Sequence, residues 1–158
     1  MTGEPRVRAE SGREFDREFD IATYWRKLVR LWAEKAGVPV EGDEQALSLD
    51  LDLTGSGRTL TLRFTTTRRL LVAFMTDGRR LRGDQLAVAA AAANAWNTEQ
   101  LFPMLSVWDV RGPEPCIAGV CQLPLGCRMT PADFAAMADD WADQARQMFT
   151  RCHQVFRL

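Results

Sequence analysis

The stretch LAVAAAAANAWNTEQLFP, residues 86–103, decides the architecture of this chain. Its first part is a helix by composition, because alanine is the strongest helix former and no glycine or proline interrupts residues 86–97. Gly83-Asp84 precedes it, with Asp84 as the expected N-cap. Leu86, Ala89, Ala90, Ala93 and Trp96 share one face. Trp96-Asn97 closes the helix, with Asn97 expected to cap its end, and Pro103 follows at the entry to a strand. Small alanine side chains let the backbone approach a neighbour closer than the usual ~8–10 Å between helix axes. That neighbour is either the chain's own sheet or the same helix in a second copy.

Upstream, the periodicity changes twice. Arg-Glu-Phe-Asp occurs at 13–16 and again at 17–20, which sets Phe15 and Phe19 one helical turn apart. They line up with Ala22, Trp25, Leu28, Val29, Trp32 and Ala36, so a helix is expected from about residue 15 until Gly37 and Pro39 end it. Leu47, Leu49, Leu51 and Leu53 then alternate with Ser48, Asp50 and Asp52, the period of a strand with one wet face. Residues 54–57 (TGSG) supply a turn, and Leu60, Leu62 and Phe64 resume the alternation. The run from Leu70 to Met75 is apolar throughout and reads as an inner strand. Short connections make these three strands an antiparallel meander.

Downstream, two strands are expected over 101–110 and 116–123, around Gly112-Pro113. Thr130-Pro131-Ala132-Asp133 announces the last helix with an N-cap, a first-turn proline and an acid three residues on. Phe134, Met137, Ala138, Trp141, Ala145, Met148, Phe149, Cys152 and Phe156 give it an apolar stripe. The order is helix, three antiparallel strands, helix, two strands, helix. The fold class is α+β.

Composition bounds what such a domain does. The 158 residues suit one domain, read as a flexible segment over 1–14 and a single domain over 15–158. Net charge of −1 gives no overall field toward nucleic acid or an anionic membrane. Met1 to Asp20 is charged throughout, unlike a secretory signal, and the longest apolar run, Leu86 to Ala93, is too short to span a bilayer. A cytoplasmic location is the expectation.

Element order, together with Trp96, Asn97 and Pro103, resembles the YbjN-domain family, whose fold is that of the type III secretion chaperones. In that family a Trp-Asn pair closes the second helix and a proline-containing strand follows. A glycine-containing segment before the last helix is also typical, and Pro124-Leu125-Gly126 matches it. The resemblance covers residues from about 15 onward. It implies a homodimeric, non-enzymatic module, described as a sensory-transduction regulator or as chaperone-like, without catalytic residues to carry over. Trp96 and Asn97 are then architecture, a core anchor and a helix cap.

Chemistry read from the residues themselves is sparse. Cys116, Cys121, Cys127 and Cys152, with the single histidine His153, suffice in number for zinc, but their spacing matches no metal signature. Cys116 and Cys121, five apart on one strand, would face opposite sides. Asp50 and Asp52 on a wet strand face have no partner base, and residues 54–57 lack the lysine of a phosphate loop. No metal, cofactor or catalytic group is therefore assigned.

Two surfaces remain. One is a dimer or protein-partner surface that includes Leu86, Ala90 and Trp108. The other is arginine-rich: between Arg58 and Arg82 seven arginines face one acid, Asp77. There Arg68, Arg69, Arg79, Arg80 and Arg82 are candidates for gripping an acidic partner. The expected function is protein binding as a homodimer that also takes a protein client. A nucleic-acid-binding regulator using the arginine loops is the alternative, disfavoured by net charge and by the lack of stacking aromatics.

Overall fold

In a computed structural model of the chain, residues 15–53 and 57–158 are described. The expected flexible segment over 1–14 and most of the 54–57 turn lie outside them. Strand β1 (Phe19–Asp20) leads into α1 (Ile21–Ala36). Then come β2 (Glu41–Gly42), β3 (Ala46–Leu53), β4 (Arg58–Thr67) and β5 (Leu70–Thr76). A single 3-10 turn at Gly83–Gln85 precedes α2 (Leu86–Glu99). The chain finishes with β6 (Met104–Trp108), β7 (Cys116–Pro124), β8 (Arg128–Met129) and α3 (Pro131–Gln154). Among the described residues, the meander and three helices come in the order that the periodicities predict.

The first helix starts later than its apolar stripe suggests. The two copies of Arg-Glu-Phe-Asp do different work. Phe19 of the second copy pairs with Met129 in the small β1–β8 sheet, and Asp20 caps α1, accepting from the Thr23 N–H at 3.2 Å. Phe15 of the first copy is 52% exposed and lies outside the helix. The buried stripe is Ile21, Trp25, Leu28, Val29, Trp32 and Ala33, so Ala22 and Ala36 face water. Two orphan N–H groups of the first turn find carbonyls in the segment before the last helix: Ile21 donates to Cys127 and Ala22 to Leu125.

Asp84 does not cap α2. It sits in the 3-10 turn and pairs with Arg82, whose N–H donates instead to the Gln85 side-chain oxygen at 2.9 Å. At α3 the sequence reading holds, since Thr130 accepts from the Asp133 N–H at 3.1 Å and Pro131 occupies the first turn.

The main sheet has six antiparallel strands in the order β2-β3-β4-β5-β7-β6. One face is dry. Leu47, Leu49, Leu51 and Leu53 of β3 join Leu60, Leu62 and Phe64 of β4 and Leu71, Ala73 and Met75 of β5 in one core with the stripes of α1 and α3. Phe64 lies between Trp32 and Phe134, with ring centroids 6.1 and 6.5 Å away. Gly119 of β7 is a point of close approach, where an added Cβ would come within 3.0 Å of Met148 and 3.1 Å of Pro103. At the end of β2 Gly42 has φ +126°, and a Cβ there would strike the Ala46 carbonyl.

Candidate functional site

Trp96 and Asn97 lie in the last turn of α2 rather than after it, because the helix runs on to Glu99. Asn97 is therefore not a helix cap. Its side-chain amide donates to the Leu105 carbonyl at 2.9 Å and accepts from the Leu105 N–H at 2.8 Å. Leu105 sits on β6, the edge strand, so one asparagine side chain takes the place of a neighbouring strand. Trp96, 4% exposed, donates its indole N–H to the Pro103 carbonyl at 2.8 Å. Pro103 is buried behind a cis Phe102–Pro103 bond. The three motif residues form one clamp that fastens α2 along the edge of the sheet.

Among the described residues, no helix lies on the second face of the sheet. Asp50 and Asp52 on β3 are exposed there, and Thr61 of β4 donates to Asp50 at 2.7 Å. Across β5, β7 and β6 the same face turns apolar. Val72, Phe74 and Val120 are half-buried, while Met104 and Trp108 are 51% and 47% exposed. Phe74 and Trp108 come from strands on either side of β7, yet their rings meet edge to face at 4.7 Å. They lean over Ala118, which is fully buried although it lies on the open face.

The outer side of α2 is apolar too. Ala89, Ala92 and Trp96 are buried, leaving Ala87, Ala90, Ala91 and Val88 exposed. Leu86 is half-buried against the core. Leu101, 96% exposed, and Phe102 extend this surface beyond the helix. The chain reverses between α2 and β6, so the two run side by side in opposite directions. Leu105 to Trp108 rises about 10 Å, as does the helix from Asn97 back to Ala90. Ala90 and Trp108 are thus each about 10 Å from the Asn97–Leu105 contact, one along the helix and the other along the strand.

The arginines form two groups. Arg68 and Arg69 make the two-residue turn between β4 and β5, with Arg68 at φ +50°. Arg79, Arg80 and Arg82 follow the other end of β5, about 20 Å away by strand rise. Arg63 points out on the open face. Arg58 points in, toward the polar group that the core encloses.

That group centres on Asp77 and His153. The Asp77 side chain is 1% exposed and lies 2.8 Å from His153 Nε2 and 3.9 Å from the Arg58 guanidinium. Its Oδ1 accepts from the Arg79 N–H at 3.2 Å. His153 Nδ1 lies 2.6 Å from the Leu158 main-chain oxygen, which can only accept, so the proton belongs on Nδ1. In the neutral ring Nε2 is then a lone pair facing Arg58 at 3.1 Å, and Asp77 Oδ2 has no hydrogen-bond donor. In the charged ring Nε2–H turns to Asp77. Burial pushes the Asp77 carboxyl above the usual aspartate range, while His153 and Arg58 pull it back.

Two of the four thiols, Cys121 and Cys152, are buried, and all four are free. Burial pushes Cys121 and Cys152 up to about 12, and it raises Cys116 as well, helped by Asp77 and nearby acids. Cys121 faces the core and Cys116 the open face, opposite sides of β7 as their spacing requires. Among the described residues no three His, Cys, Asp or Glu side chains converge on a metal position, and no helix is long and apolar enough to cross a membrane. Of these features the Asn97 clamp and the Asp77–His153 pair escaped sequence reasoning. Each joins residues that no local pattern connects.

No protein-family profile matches the chain, and no curated protein does. Among solved structures it is similar to one described as "YbjN, a putative transcription regulator from E. coli". That match has a TM-score of 0.65 at 16% identity and covers 81% of this chain and 90% of the other. The helices and the antiparallel sheet are thus arranged in a YbjN-like fold.

Proposed function

We propose that this protein is a non-catalytic protein-binding module, chaperone-like or regulatory, that acts as a homodimer. The observation that carries the reading is an apolar half of the sheet that no described element covers, where Phe74, Trp108, Met104 and Val120 lie beside the alanine surface of α2. Contiguous exposed apolar surface of this kind is uncommon on monomers and marks interaction sites. Trp108 supplies a large, stiff contact of the type that anchors interfaces. Ala87, Ala90 and Ala91 let a partner backbone come close. A second copy covers the α2 and β6 side, around Leu86, Ala90 and Trp108. The protein client takes what the second copy leaves open.

Light scattering tests the dimer. The expected mass is twice that of one chain at micromolar concentration, falling to one chain in Ala90→Arg and Trp108→Arg with helix content unchanged. A monomer in the unsubstituted protein sinks the reading. Nucleic-acid binding is the second reading, favoured by the arginines that gather after β5. It requires salt-dependent association with DNA or RNA that is lost when Arg79, Arg80 and Arg82 become alanine.

A further inference from the structure

Beyond β5, residues 79–82 (RRLR) come to lie beside the segment that follows α3. The two segments bound a groove of about 350 Å³, walled by Arg79, Arg80, Arg82 and Arg157. Its floor is apolar, from Leu81 and Ile117, which are 4% and 1% exposed. Gln85 adds a side-chain amide at the rim.

Not every arginine of the groove is held by an acid. Arg80 pairs with Glu114, and Arg82 with Asp84 at 3.1 Å, both on the exposed surface where ion pairs exchange partners at little cost. Arg79 donates to the Leu158 main-chain oxygen. Arg157 pairs with no acid among the described residues. It also stands at φ +59°, a left-handed conformation that non-glycine residues rarely adopt. The fold holds it there: Leu158, 4% exposed, donates its N–H to the Cys152 carbonyl at 3.1 Å, and His153 and Arg79 both bond its oxygen. A strained arginine without an acid partner, opposite three more arginines, is the arrangement expected of an anion site.

We propose that this groove binds a small anion through a terminal phosphate, gripped by Arg79, Arg80, Arg82 and Arg157. Guanidinium groups bond phosphate oxygens in pairs, and four of them match a doubly charged phosphate better than a carboxylate. The volume suits a small ligand. No aromatic ring lines the groove, so a stacked base contributes nothing and the phosphate carries recognition. The site does not depend on dimerisation. The phosphate comes either from a free small molecule or from the end of a nucleic acid.

Calorimetric titration of the full chain with pyrophosphate, at ionic strength fixed with sodium chloride, tests the site. One saturable site per chain is expected. Arg157→Gln and Arg82→Gln, both exposed positions, should each weaken it about tenfold, a loss of about 1.4 kcal/mol. The control Arg68→Gln/Arg69→Gln, at the other end of β5, should leave it unchanged. A single-stranded oligonucleotide with a 5′ phosphate that binds more tightly than pyrophosphate names nucleic acid as the source, and weaker binding names a free phosphate. The proposal is overturned by absent binding, by equal binding of Arg157→Gln, by equal weakening in the control, or by an unphosphorylated oligonucleotide that binds as well as the phosphorylated one.

Discussion

The two faces of the six-stranded sheet are built from the same strands and do opposite work. On one, every second residue of β3, β4 and β5 is buried beneath α1 and α3, so the face holds the fold together. On the other, the same strands present acids and threonines at β3 and β4, then apolar and aromatic side chains at β5, β7 and β6. The dry face is completed within one chain. The open face is apolar only across β5, β7 and β6, and it is this half that we propose as a surface for a partner.

The largest expected difference between the faces is in stability. Phe64→Ala removes a ring that is fully buried between Trp32 and Phe134, and should cost about 3–5 kcal/mol in urea unfolding. Trp108→Ala removes one edge-to-face contact with Phe74 from a half-exposed position and should cost about 0.5–1.5 kcal/mol. Comparable losses from the two substitutions, measured on monomeric protein, would show that the open face is a core in its own right.

The edge beside that face comes next. Asn97→Ala leaves the Leu105 N–H and carbonyl without their partner and should cost about 1–2 kcal/mol. It also frees a strand edge, so self-association should rise with time. Asn97→Asp keeps the acceptor for the Leu105 N–H but turns a carboxylate toward the Leu105 carbonyl, and should be at least as damaging at neutral pH. A harmless Asn97→Ala would mean that water replaces the clamp.

A smaller effect tests the dry side where it meets charge. Burial raises the Asp77 carboxyl in the folded protein, so folding favours its protonated form. The stability linked to Asp77 is therefore complete below the unfolded aspartate value and is lost as pH rises through the raised one. Wild type should lose ground to Asp77→Asn as pH increases from about 4. Urea midpoints of both proteins across the acid range give that difference directly, and a difference that is flat or grows in favour of wild type contradicts the burial argument.

The chain's local patterns made most of the architecture legible. Leucines at 47, 49, 51 and 53 gave β3 its dry side, and Thr130-Pro131 marked the start of α3, because period and capping act over a few residues. What stayed hidden was long-range. Phe19 sits at helical spacing from Phe15 yet pairs with Met129, so the real helix start depends on a strand more than a hundred residues away. Asn97 read as a helix cap because its partner, Leu105, is set by how the chain turns back after α2. The arginines read as one patch because sequence counts them together, whereas β5 holds Arg68 and Arg69 apart from Arg79, Arg80 and Arg82. Trp108 and Ala90 were legible as apolar residues, but not as exposed positions on a helix and on the edge strand beside it.

The finest comparison uses one strand. Cys116 and Cys121 both belong to β7, five residues apart, and differ only in the face they meet. Cys121 is 3% exposed and burial pushes its thiol up to about 12, so almost no thiolate forms at pH 8. Cys116 is half-exposed on the open face opposite Trp108, and its thiol is raised by burial and nearby acids. With iodoacetamide, Cys116 should label slowly in the folded protein, and Cys121 only on unfolding. If a second copy covers the β6 side of the open face, Cys116 labelling should slow further as protein concentration rises, while Trp108→Arg should remove that dependence. Labelling of Cys116 that ignores concentration in a protein shown to be dimeric would move the dimer surface off the open face and onto α2 alone.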